Sequence, residues 1–278
     1  MDSNWIFFNG EFIRREEAVL HISDLSIQRG YGVFDFFRTV NNIPLYIEDH
    51  ISRFYYSAQK MRLTINLLPP ELKDIIYQLV QKNDIPHSGI RISLTGGYSA
   101  DGYSIAAPNL FITQQPFQPP AQKSIKLILH DYQRELSDVK TINYLMGIWL
   151  QPFIKEREAD DVLYFKEGLI RECPRSNFFI VTKENVIATP ASRILKGITR
   201  KKVLGVAKPY FKTEERDITI KDLQQAKEAF ITSSTKRILP VVQINDLAYD
   251  STGKDTIAYQ LSQLLLAEEK DYITRHAL

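Results

Sequence analysis

The sequence is poor in the residues that mark several classes of protein. Cys173 is the only cysteine among 278 residues, which excludes an intrachain disulfide and a cysteine-based metal site. A single thiol is typical of a reducing compartment, so we expect a cytoplasmic protein. No apolar run approaches the roughly 20 residues that span a bilayer, and the first residues lack a signal-peptide pattern. We therefore expect no membrane partner.

Charge and glycine patterns exclude further classes. The formal net charge is only +2, which gives no field that would attract nucleic acid. Neither a Walker-type loop nor a dinucleotide glycine fingerprint is present. Hydrophobic residues make up 44% and charged residues 24% of the chain, so it has enough apolar material to fold into a globular protein.

The length favours two domains rather than one core. Pro116, Pro119 and Pro120 interrupt a stretch with little that could pack, which predicts a linker over residues 116–123. We predict a small N-terminal α/β domain over residues 1–115 and a larger C-terminal domain over residues 124–278. The predicted elements include a hairpin at Asn9-Gly10, strands at 34–40, 89–94, 109–113, 161–165, 178–181, 186–189 and 229–233, and helices at 49–62, 73–82 and from Thr199.

Lys140 is the first candidate for chemistry. A strand-like alternation over residues 125–130 precedes it, and apolar residues from Ile142 to Phe153 recur at spacings of three and four, which predicts a helix with one buried face. A lysine held against apolar neighbours loses hydration, so its pKa falls and its neutral amine can form a Schiff base. Taken alone, the stretch also fits a surface lysine before a helix.

Three features point to an anionic group. The segment Gly197–Arg200 begins a helix, where unpaired N–H groups and the helix dipole can bind phosphate, although Thr199 could simply cap the helix. The hydroxyl cluster Thr232–Thr235, which includes Ser234, could donate to phosphate or could stabilise a turn. Arg53 could bind a phosphate through its guanidinium or could be a solvated helix residue.

Glu172 is the fourth candidate. A glutamate between two arginines is usually part of a surface network, but beside a pyridine ring its carboxylate would keep the ring nitrogen protonated. Lys140, the phosphate donors and Glu172 together fit pyridoxal 5'-phosphate (PLP) better than a nucleotide.

The chain resembles the class IV (fold type IV) PLP aminotransferases, the group of D-amino acid aminotransferase, branched-chain aminotransferase and aminodeoxychorismate lyase. The resemblance runs through motifs in order along nearly the whole chain: Asn9-Gly10, Asp24…Gly30-x-Gly32-x-Phe34-Asp35, His50-x-x-Arg53 with Ser57-Ala58, Lys140, Glu172-x-x-x-Ser176-Asn177-x-Phe179, Thr189-Pro190…Gly197-Ile198-Thr199-Arg200, and Ser234-Thr235…Pro240-Val241.

This resemblance implies an α+β, two-domain fold type IV PLP enzyme with the cofactor between the domains. It implies that Lys140 is the Schiff-base lysine and proton carrier and that Glu172 pairs with the pyridine nitrogen. It further implies that the phosphate is bound by Arg53, by the amides of Ile198 and Thr199 and by the hydroxyls of Thr235 and Ser234.

The departures from the family pattern concern the substrate. Arg29 stands where an aromatic residue is usual, and the loop Gly96–Gly102 lacks the arginine and histidine that many D-amino acid enzymes carry there. Arg29, Arg91 and Arg175 are candidates to replace them, because guanidinium binds carboxylate in a bidentate manner. Each could instead form a structural salt bridge.

The resemblance implies an aminotransferase acting on an amino acid and a 2-oxo acid such as 2-oxoglutarate, and the arginines lead us to favour D-amino acids. The alternatives are an L-branched-chain aminotransferase, aminodeoxychorismate lyase and a non-catalytic homologue. The family also implies a homodimer in which the Gly96–Gly102 loop completes the neighbouring subunit's site.

Overall fold

The computed structural model describes residues 4–277, which form two compact units. The first unit contains the described residues up to Gln118, the short segment Val139–Asn143 and residues 272–277. The second contains Pro119–Asp138 and Tyr144–Asp271. None of the helices within residues 4–277 combines the length and the apolar character that a membrane span needs.

The first unit is built on an antiparallel sheet of order β2-β1-β6-β5-β3-β4. Its elements are β1 (Trp5–Phe8), β2 (Glu11–Arg14), α1 (Leu25–Arg29), β3 (Gly32–Val40), β4 (Ile43–Pro44), α2 (Ile47–Lys60), α3 (Pro69–Asn83), β5 (Ser88–Thr95) and β6 (Leu110–Pro116). The β1–β2 turn uses Asn9 at φ 48° and Gly10 at φ 106°, the positive angles that a tight hairpin requires.

Helices α2 and α3 cover one face of this sheet. Alternate residues of β3 and β5, among them Phe37 and Ile92, pack with Phe54 and Ile76 from the helices in one buried cluster. The intervening residues, including Phe34 and Arg91, therefore lie on the opposite face. This alternation matters for the site, because it separates the hydrophobic core of the unit from the face that bears the aromatic and cationic side chains.

Val139–Asn143 joins the first unit as an added edge to β3. Phe34 N donates to Lys140 O at 3.0 Å, Ile142 N donates to Gly32 O at 3.0 Å, and Val33 pairs with Thr141 in an antiparallel bridge. A Cβ on Gly32 would lie 2.8 Å from Leu94 O of β5 and 3.1 Å from the Ile142 side chain, so glycine is needed where β3 has neighbours on both sides.

The described units therefore differ from the predicted domain limits. The prediction placed Lys140 and the whole C-terminal end in the second domain, but backbone pairing with β3 assigns Lys140 to the first unit. Tyr272 also belongs there, because its ring packs against Tyr46 at 4.8 Å and its hydroxyl donates to Glu48 at 3.2 Å. Sequence proximity to the second domain could not reveal either contact.

The second unit is built on a sheet of order β13-β12-β11-β14-β15-β7-β8-β9, with β10 paired to β11 and β16 to β15. Its strands are β7 (Ile125–Asp131), β8 (Asp161–Lys166), β9 (Leu169–Ile170), β10 (Glu172–Cys173), β11 (Ser176–Val181), β12 (Ile187–Thr189), β13 (Thr213–Glu215), β14 (Glu228–Ser233), β15 (Arg237–Ile244) and β16 (Leu247–Ala248). The β12–β13, β15–β7 and β7–β8 pairs are parallel and the remaining pairs are antiparallel.

Both faces of this sheet are covered. Phe178 and Leu239 on one face belong to a buried cluster with Leu163 of β8. Phe179 on the other face packs with residues of two helices. The helices that begin in this unit are α4 (Leu145–Trp149), α5 (Gln151–Glu156), α6 (Ile198–Ala207), α7 (Ile220–Gln225) and α8 (Ile257–His276).

The helix predicted directly after Lys140 is two short helices, and its predicted buried face is wrong in part. Leu145 and Trp149, of α4, are 71% and 66% exposed, whereas Leu150 is buried. Pro152 explains the break, because it has no N–H to donate to the preceding turn and is tolerated only near the start of α5. Lys140 thus lies in an extended segment, separated from the start of α4 by residues 141–144.

Candidate active site

In the first unit, β3 and α2 position Lys140. Its backbone N–H donates to Ser57 Oγ at 3.2 Å, and its Nζ lies 4.5 Å from the centroid of the Phe34 ring. Ser57 is fully buried on α2, so its hydroxyl holds the backbone of Lys140 at a fixed position. An ammonium over a ring face is attracted by the ring quadrupole. The amine of this half-buried lysine therefore has an aromatic neighbour.

Arg53 is bound to a carboxylate of its own unit. Its Nε and Nη2 donate to the two oxygens of Asp35 at 2.8 Å each, and His50 Nδ1 lies 2.7 Å from Asp35 Oδ1. Burial acts to raise the pKa of Asp35, but Arg53 and His50 outweigh it and hold the pKa well below its usual value. For His50, burial is the larger effect and the pKa is lowered. A neutral His50 that donates from Nδ1 to an ionised Asp35 fits these shifts.

This cluster fixes the orientation of the predicted phosphate-binding arginine. With Nε and Nη2 engaged, Arg53 Nη1 has no acceptor among residues 4–277 and is the nitrogen left to meet an anion. Two separate sequence motifs contained Asp35 and the pair His50 and Arg53. Their contact was not predicted, since only the packing of α2 on β3 brings them together.

Arg91 and Lys140 both lie against the aromatic ring of Phe34. Its guanidinium carbon is 3.8 Å from the centroid of Phe34, and its Nε donates to Ser93 Oγ at 3.3 Å. Arg29 is exposed at the end of α1, where Nη1 donates to Gln28 O at 2.9 Å, and it lies beside Gly102. Of the predicted substrate arginines, Arg91 is therefore the one placed next to the lysine.

In the second unit, Glu172 is a buried carboxylate held by three donors. Arg134 approaches Oε1 through Nε at 2.9 Å and Nη2 at 2.8 Å, and Leu195 N donates to Oε2 at 3.0 Å. Glu172 is only 5% exposed. Although burial acts to lower it, the pKa of Arg134 is raised by the Glu172 carboxylate. Arg134 was missed by sequence reasoning, because it lies in an irregular loop with no pattern that distinguishes it.

The loop before α6 is hydrogen-bonded to β10 and β11. Gly197, the N-cap, donates its N–H to Asn177 Oδ1 at 3.1 Å, and Asn177 Nδ2 donates to Leu195 O at 2.6 Å. Within the part of the chain that the structure describes, the amides of Ile198 and Thr199 have no acceptor. They are the open N–H groups of a helix N-terminus, which suits an anion.

A row of polar side chains crosses three strands near this helix start. Glu172, Asn177 and Thr232 are register partners on β10, β11 and β14, so their side chains share one face. Thr232 is 1% exposed and its Oγ1 has no hydrogen-bond partner among residues 4–277. An unpaired buried hydroxyl of this kind calls for a ligand or an ordered water. Strand alternation could have suggested Thr232, but only the register places it beside Glu172.

The other three predicted positions in this unit lie in turns. Ser234 and Thr235 are half-buried in the β14–β15 turn, where Thr235 Oγ1 lies 3.2 Å from Ser233 Oγ. Arg175 is exposed in the β10–β11 turn, and its charge acts on the buried Asp161 carboxyl, whose pKa is raised chiefly by burial. No described contact links Arg175 to Glu172 directly.

Each unit, taken by itself, offers groups of a kind that PLP uses. The first unit offers an amine, Lys140, and a guanidinium, Arg53. The second offers a carboxylate for a ring nitrogen, Glu172, with open amides and an unpartnered hydroxyl, Thr232, for phosphate oxygens. A nucleotide site would call for a Walker-type or dinucleotide glycine fingerprint, which the sequence lacks.

Comparison with known proteins agrees with this chemistry. Residues 32–244 match the family model described as amino-transferase class IV. The D-alanine aminotransferase of Bacillus licheniformis is 32% identical over 250 residues, which cover 86% of this chain and 88% of that protein. A provisionally named branched-chain-amino-acid aminotransferase of Methanocaldococcus jannaschii is 29% identical, with 93% and 94% covered.

The fold has solved counterparts. The branched-chain aminotransferase of the archaeon Thermoproteus uzoniensis, with norvaline, superimposes with a TM-score of 0.87 over 98% of this chain and 98% of that one, at 24% identity. The predicted α+β fold type IV architecture is thereby confirmed. From the matched family model and the Bacillus relative together, the chain belongs to the class IV aminotransferases, whose cofactor is pyridoxal phosphate.

Proposed function

We propose that this class IV aminotransferase moves an amino group from an amino acid, with D-amino acids favoured, to a 2-oxo acid such as 2-oxoglutarate. The observation that carries the proposal is the pair of cations on one aromatic ring: the Lys140 ammonium at 4.5 Å and the Arg91 guanidinium at 3.8 Å from the centroid of Phe34. A guanidinium next to a reactive amine is suited to a substrate carboxylate, which it can bind with two parallel hydrogen bonds.

The proposed cofactor-binding residues come from both units. Lys140 and Arg53 belong to the first, and Glu172, Ile198 and Thr199 belong to the second, together with Ser234 and Thr235 of the β14–β15 turn. Their support is the donor chemistry of each half, namely the open Nη1 of Arg53 and the open amides at the start of α6. Arg134 holds the Glu172 carboxylate in one rotamer and supplies its counter-charge.

The chemistry that bound PLP supplies is an electron-withdrawing protonated ring. Glu172 is proposed to hold the proton on the ring nitrogen, which its anchored carboxylate can do without moving. Lys140 Nζ is proposed to act as nucleophile and to carry the proton to and from the substrate carbon. Phe34 orients Lys140 through both its ring and its backbone N–H.

The preference for D-amino acids rests on the substrate arginines. An apolar branched-chain pocket would gain nothing from Arg91 and would bear the cost of desolvating its charge. Arg91 and Arg29 of the first unit are proposed to bind substrate carboxylates, and Arg175 is proposed as a further contact. The 32% identical relative named as a D-alanine aminotransferase supports the same choice.

The L-branched-chain activity is the second candidate, favoured by the 29% identical archaeal relative. To separate the two, the purified holoenzyme would be given D-alanine, D-glutamate or L-leucine with 2-oxoglutarate, and turnover would be compared with that of Arg29→Leu and Arg91→Leu. Arg157→Leu is a matched control, because Arg157 is an exposed arginine of the second unit.

We expect the D-amino acids to be the better donors and both active-site variants to raise their KM. A faster reaction with L-leucine, or unchanged D-amino acid kinetics in both variants, would replace the proposal by the branched-chain one. Pyruvate release from aminodeoxychorismate without an added 2-oxo acid would replace it by the lyase. A protein without PLP absorbance would point to the non-catalytic homologue.

We also propose a homodimer, located in the cytoplasm. Apolar side chains just before α1, on α1 and in the loop after β5 are exposed in the single chain: Ile22, Ile27, Tyr98, Tyr103 and Ile105. Asp101 gives this loop a defined shape by accepting from Ser99 Oγ, Ser104 Oγ and two backbone amides. Tyr103, which is 85% exposed, is therefore presented outward on a rigid loop. Sedimentation of Tyr103→Asp and Ile27→Asp should show monomers if this surface forms the dimer.

A further inference from the structure

Arg171 is a buried cation without a partner. It lies between β9 and β10 in the second unit and is only 3% exposed. Within residues 4–277 its guanidinium makes no hydrogen bond and no ion pair, and its Nε is completely enclosed. Buried guanidinium groups are normally paired, because an uncompensated charge out of water is costly. This arginine therefore requires an explanation that the aminotransferase site does not give.

Charged groups of both signs lie near Arg171, but none of them pairs with it. After burial, which is the main cause, the nearby Arg193 guanidinium lowers the pKa of Arg171. Asp217 and Glu167 act in the opposite direction but neither carboxylate is within ion-pair distance of Arg171. Arg193 is itself held at the β8–β9 turn, with Nη1 3.9 Å from Glu167 Oε2. Arg171 thus has a second guanidinium near it and, within the described chain, no carboxylate close enough to form an ion pair with it.

Backbone hydrogen bonds hold Arg171 in place. Arg171 N donates to Tyr164 O at 2.8 Å, and Ile170 N donates to Ile218 O at 2.7 Å. These bonds fix the strand that bears Arg171 between β8 and the segment before α7. The backbone around Arg171 is therefore held in place by hydrogen bonds to its neighbours on both sides.

We infer that Arg171, with Arg193, forms an oxyanion site that is separate from the substrate arginines. The ligand class is a small phosphate or carboxylate, because either presents two oxygens to the parallel N–H groups of a guanidinium. Water can satisfy the N–H donors but cannot compensate the charge, and an oxyanion does both. The inference does not depend on which amino acid the enzyme uses.

An anion bound at this site would also affect Glu172, because Arg193 and the residue that donates to Glu172 belong to the same loop. Arg193 lies in the loop between β12 and α6, close in sequence to Leu195, whose N–H donates to Glu172 Oε2 at 3.0 Å. An anion bound by both arginines would connect this loop to the segment between β9 and β10. We therefore expect the amides of residues 193–197 to exchange more slowly when the site is filled.

The test uses the holoenzyme, titrated by calorimetry with inorganic phosphate and separately with acetate, with chloride as the ionic-strength control. Amide exchange of residues 193–197 is followed in the same solutions. The variants are Arg171→Met, which keeps the length of the side chain, and Arg193→Gln, whose exposed position makes misfolding no concern. Arg157→Gln is the matched control, since Arg157 is exposed and stacks on Phe153 at 5.2 Å.

We expect one saturable site per chain for phosphate or acetate. Whichever anion saturates the site and slows the amide exchange identifies the ligand class. We expect binding to weaken about 10- to 150-fold in Arg171→Met, the equivalent of one charge-assisted hydrogen-bonded contact, and to weaken in Arg193→Gln. Arg157→Gln should bind as the parent does. No saturable binding beyond the chloride control would mean a hydrated arginine and would overturn the inference. Binding that Arg171→Met and Arg193→Gln both retain would also overturn it.

Discussion

Replacing Arg53 with methionine tests the buried charge cluster around Asp35. Methionine keeps much of the length of the side chain but removes the two donors that lie 2.8 Å from the carboxylate oxygens. Asp35 is fully buried and would keep His50 as its side-chain partner. Because removal of one member of a buried ion pair leaves the other charge uncompensated, we expect the free energy of unfolding of the apoenzyme to fall by about 3–5 kcal/mol at neutral pH.

The destabilisation should depend on pH. In the parent protein the lowered pKa of Asp35 means that its contribution to stability is present above the unfolded value of 3.8 and is lost as pH falls toward the folded value. Without Arg53, burial dominates and raises the folded pKa, so the carboxyl takes up a proton as pH falls from neutrality. We expect the difference between parent and variant to be greatest at neutral pH, to shrink as pH falls through the raised pKa of Asp35 in the variant, and to be lost at the lowered pKa of Asp35 in the parent.

Urea unfolding of the apoproteins would measure this difference. Trp5 lies in the same unit as Asp35, whereas Trp149 lies in the second unit and is 66% exposed, so a Trp149→Phe background reports on the first unit alone. Lys60→Met is the matched control, because Lys60 is an exposed cation on the same helix and its loss should change stability by no more than about 0.5 kcal/mol.

A second substitution sharpens the test. Adding Asp35→Asn to Arg53→Met removes the buried carboxylate charge that has lost its partner. The double variant should therefore regain part of the free energy of unfolding that Arg53→Met loses. A loss below about 1 kcal/mol in Arg53→Met, or a loss that is the same at neutral and acidic pH, would contradict the reasoning.

Four further outcomes follow from the site and the fold. Lys140→Ala should abolish amino transfer with the fold intact by circular dichroism, and turnover near the parental rate would disprove its role. Glu172→Gln should retain PLP absorbance after dialysis yet turn over far more slowly. Arg53→Ala should weaken PLP binding by about 1.5–3 kcal/mol in an equilibrium titration, in addition to the loss of folding stability expected for Arg53→Met. Glu228→Gln should lower the free energy of unfolding by about 1–2 kcal/mol, because its buried carboxylate accepts two amides at the start of α8.

Local patterns in the sequence were sufficient to predict most elements of the first unit. The Asn9-Gly10 pair predicted the hairpin, and both angles at this turn are positive. The helix predicted over 49–62 is α2, Ile47–Lys60, and the helix predicted over 73–82 is α3, Pro69–Asn83. These predictions succeed because side-chain alternation, helical spacing and turn chemistry act between residues that are close in the chain.

The same local reasoning was wrong where the partner of a residue is distant. Spacings of three and four after Lys140 predicted a continuous buried helix face, yet Leu145 and Trp149 are exposed and Pro152 divides the helix. Apolar spacing states which residues share a face of a helix. It does not state whether anything in the chain covers that face.

The order of motifs along the sequence determined the family, the fold type IV architecture and the cofactor, and each of these is confirmed. The side-chain partnerships were decided by tertiary structure alone: Lys140 with Ser57 and Phe34, Glu172 with Arg134, and Arg171 with no partner among the described residues. Lys140 and Ser57 are 83 residues apart, and Glu172 and Arg134 are 38 apart. No local spacing encodes such pairs, because their stability comes from burial and from hydrogen bonds that exist only once strands and helices have packed.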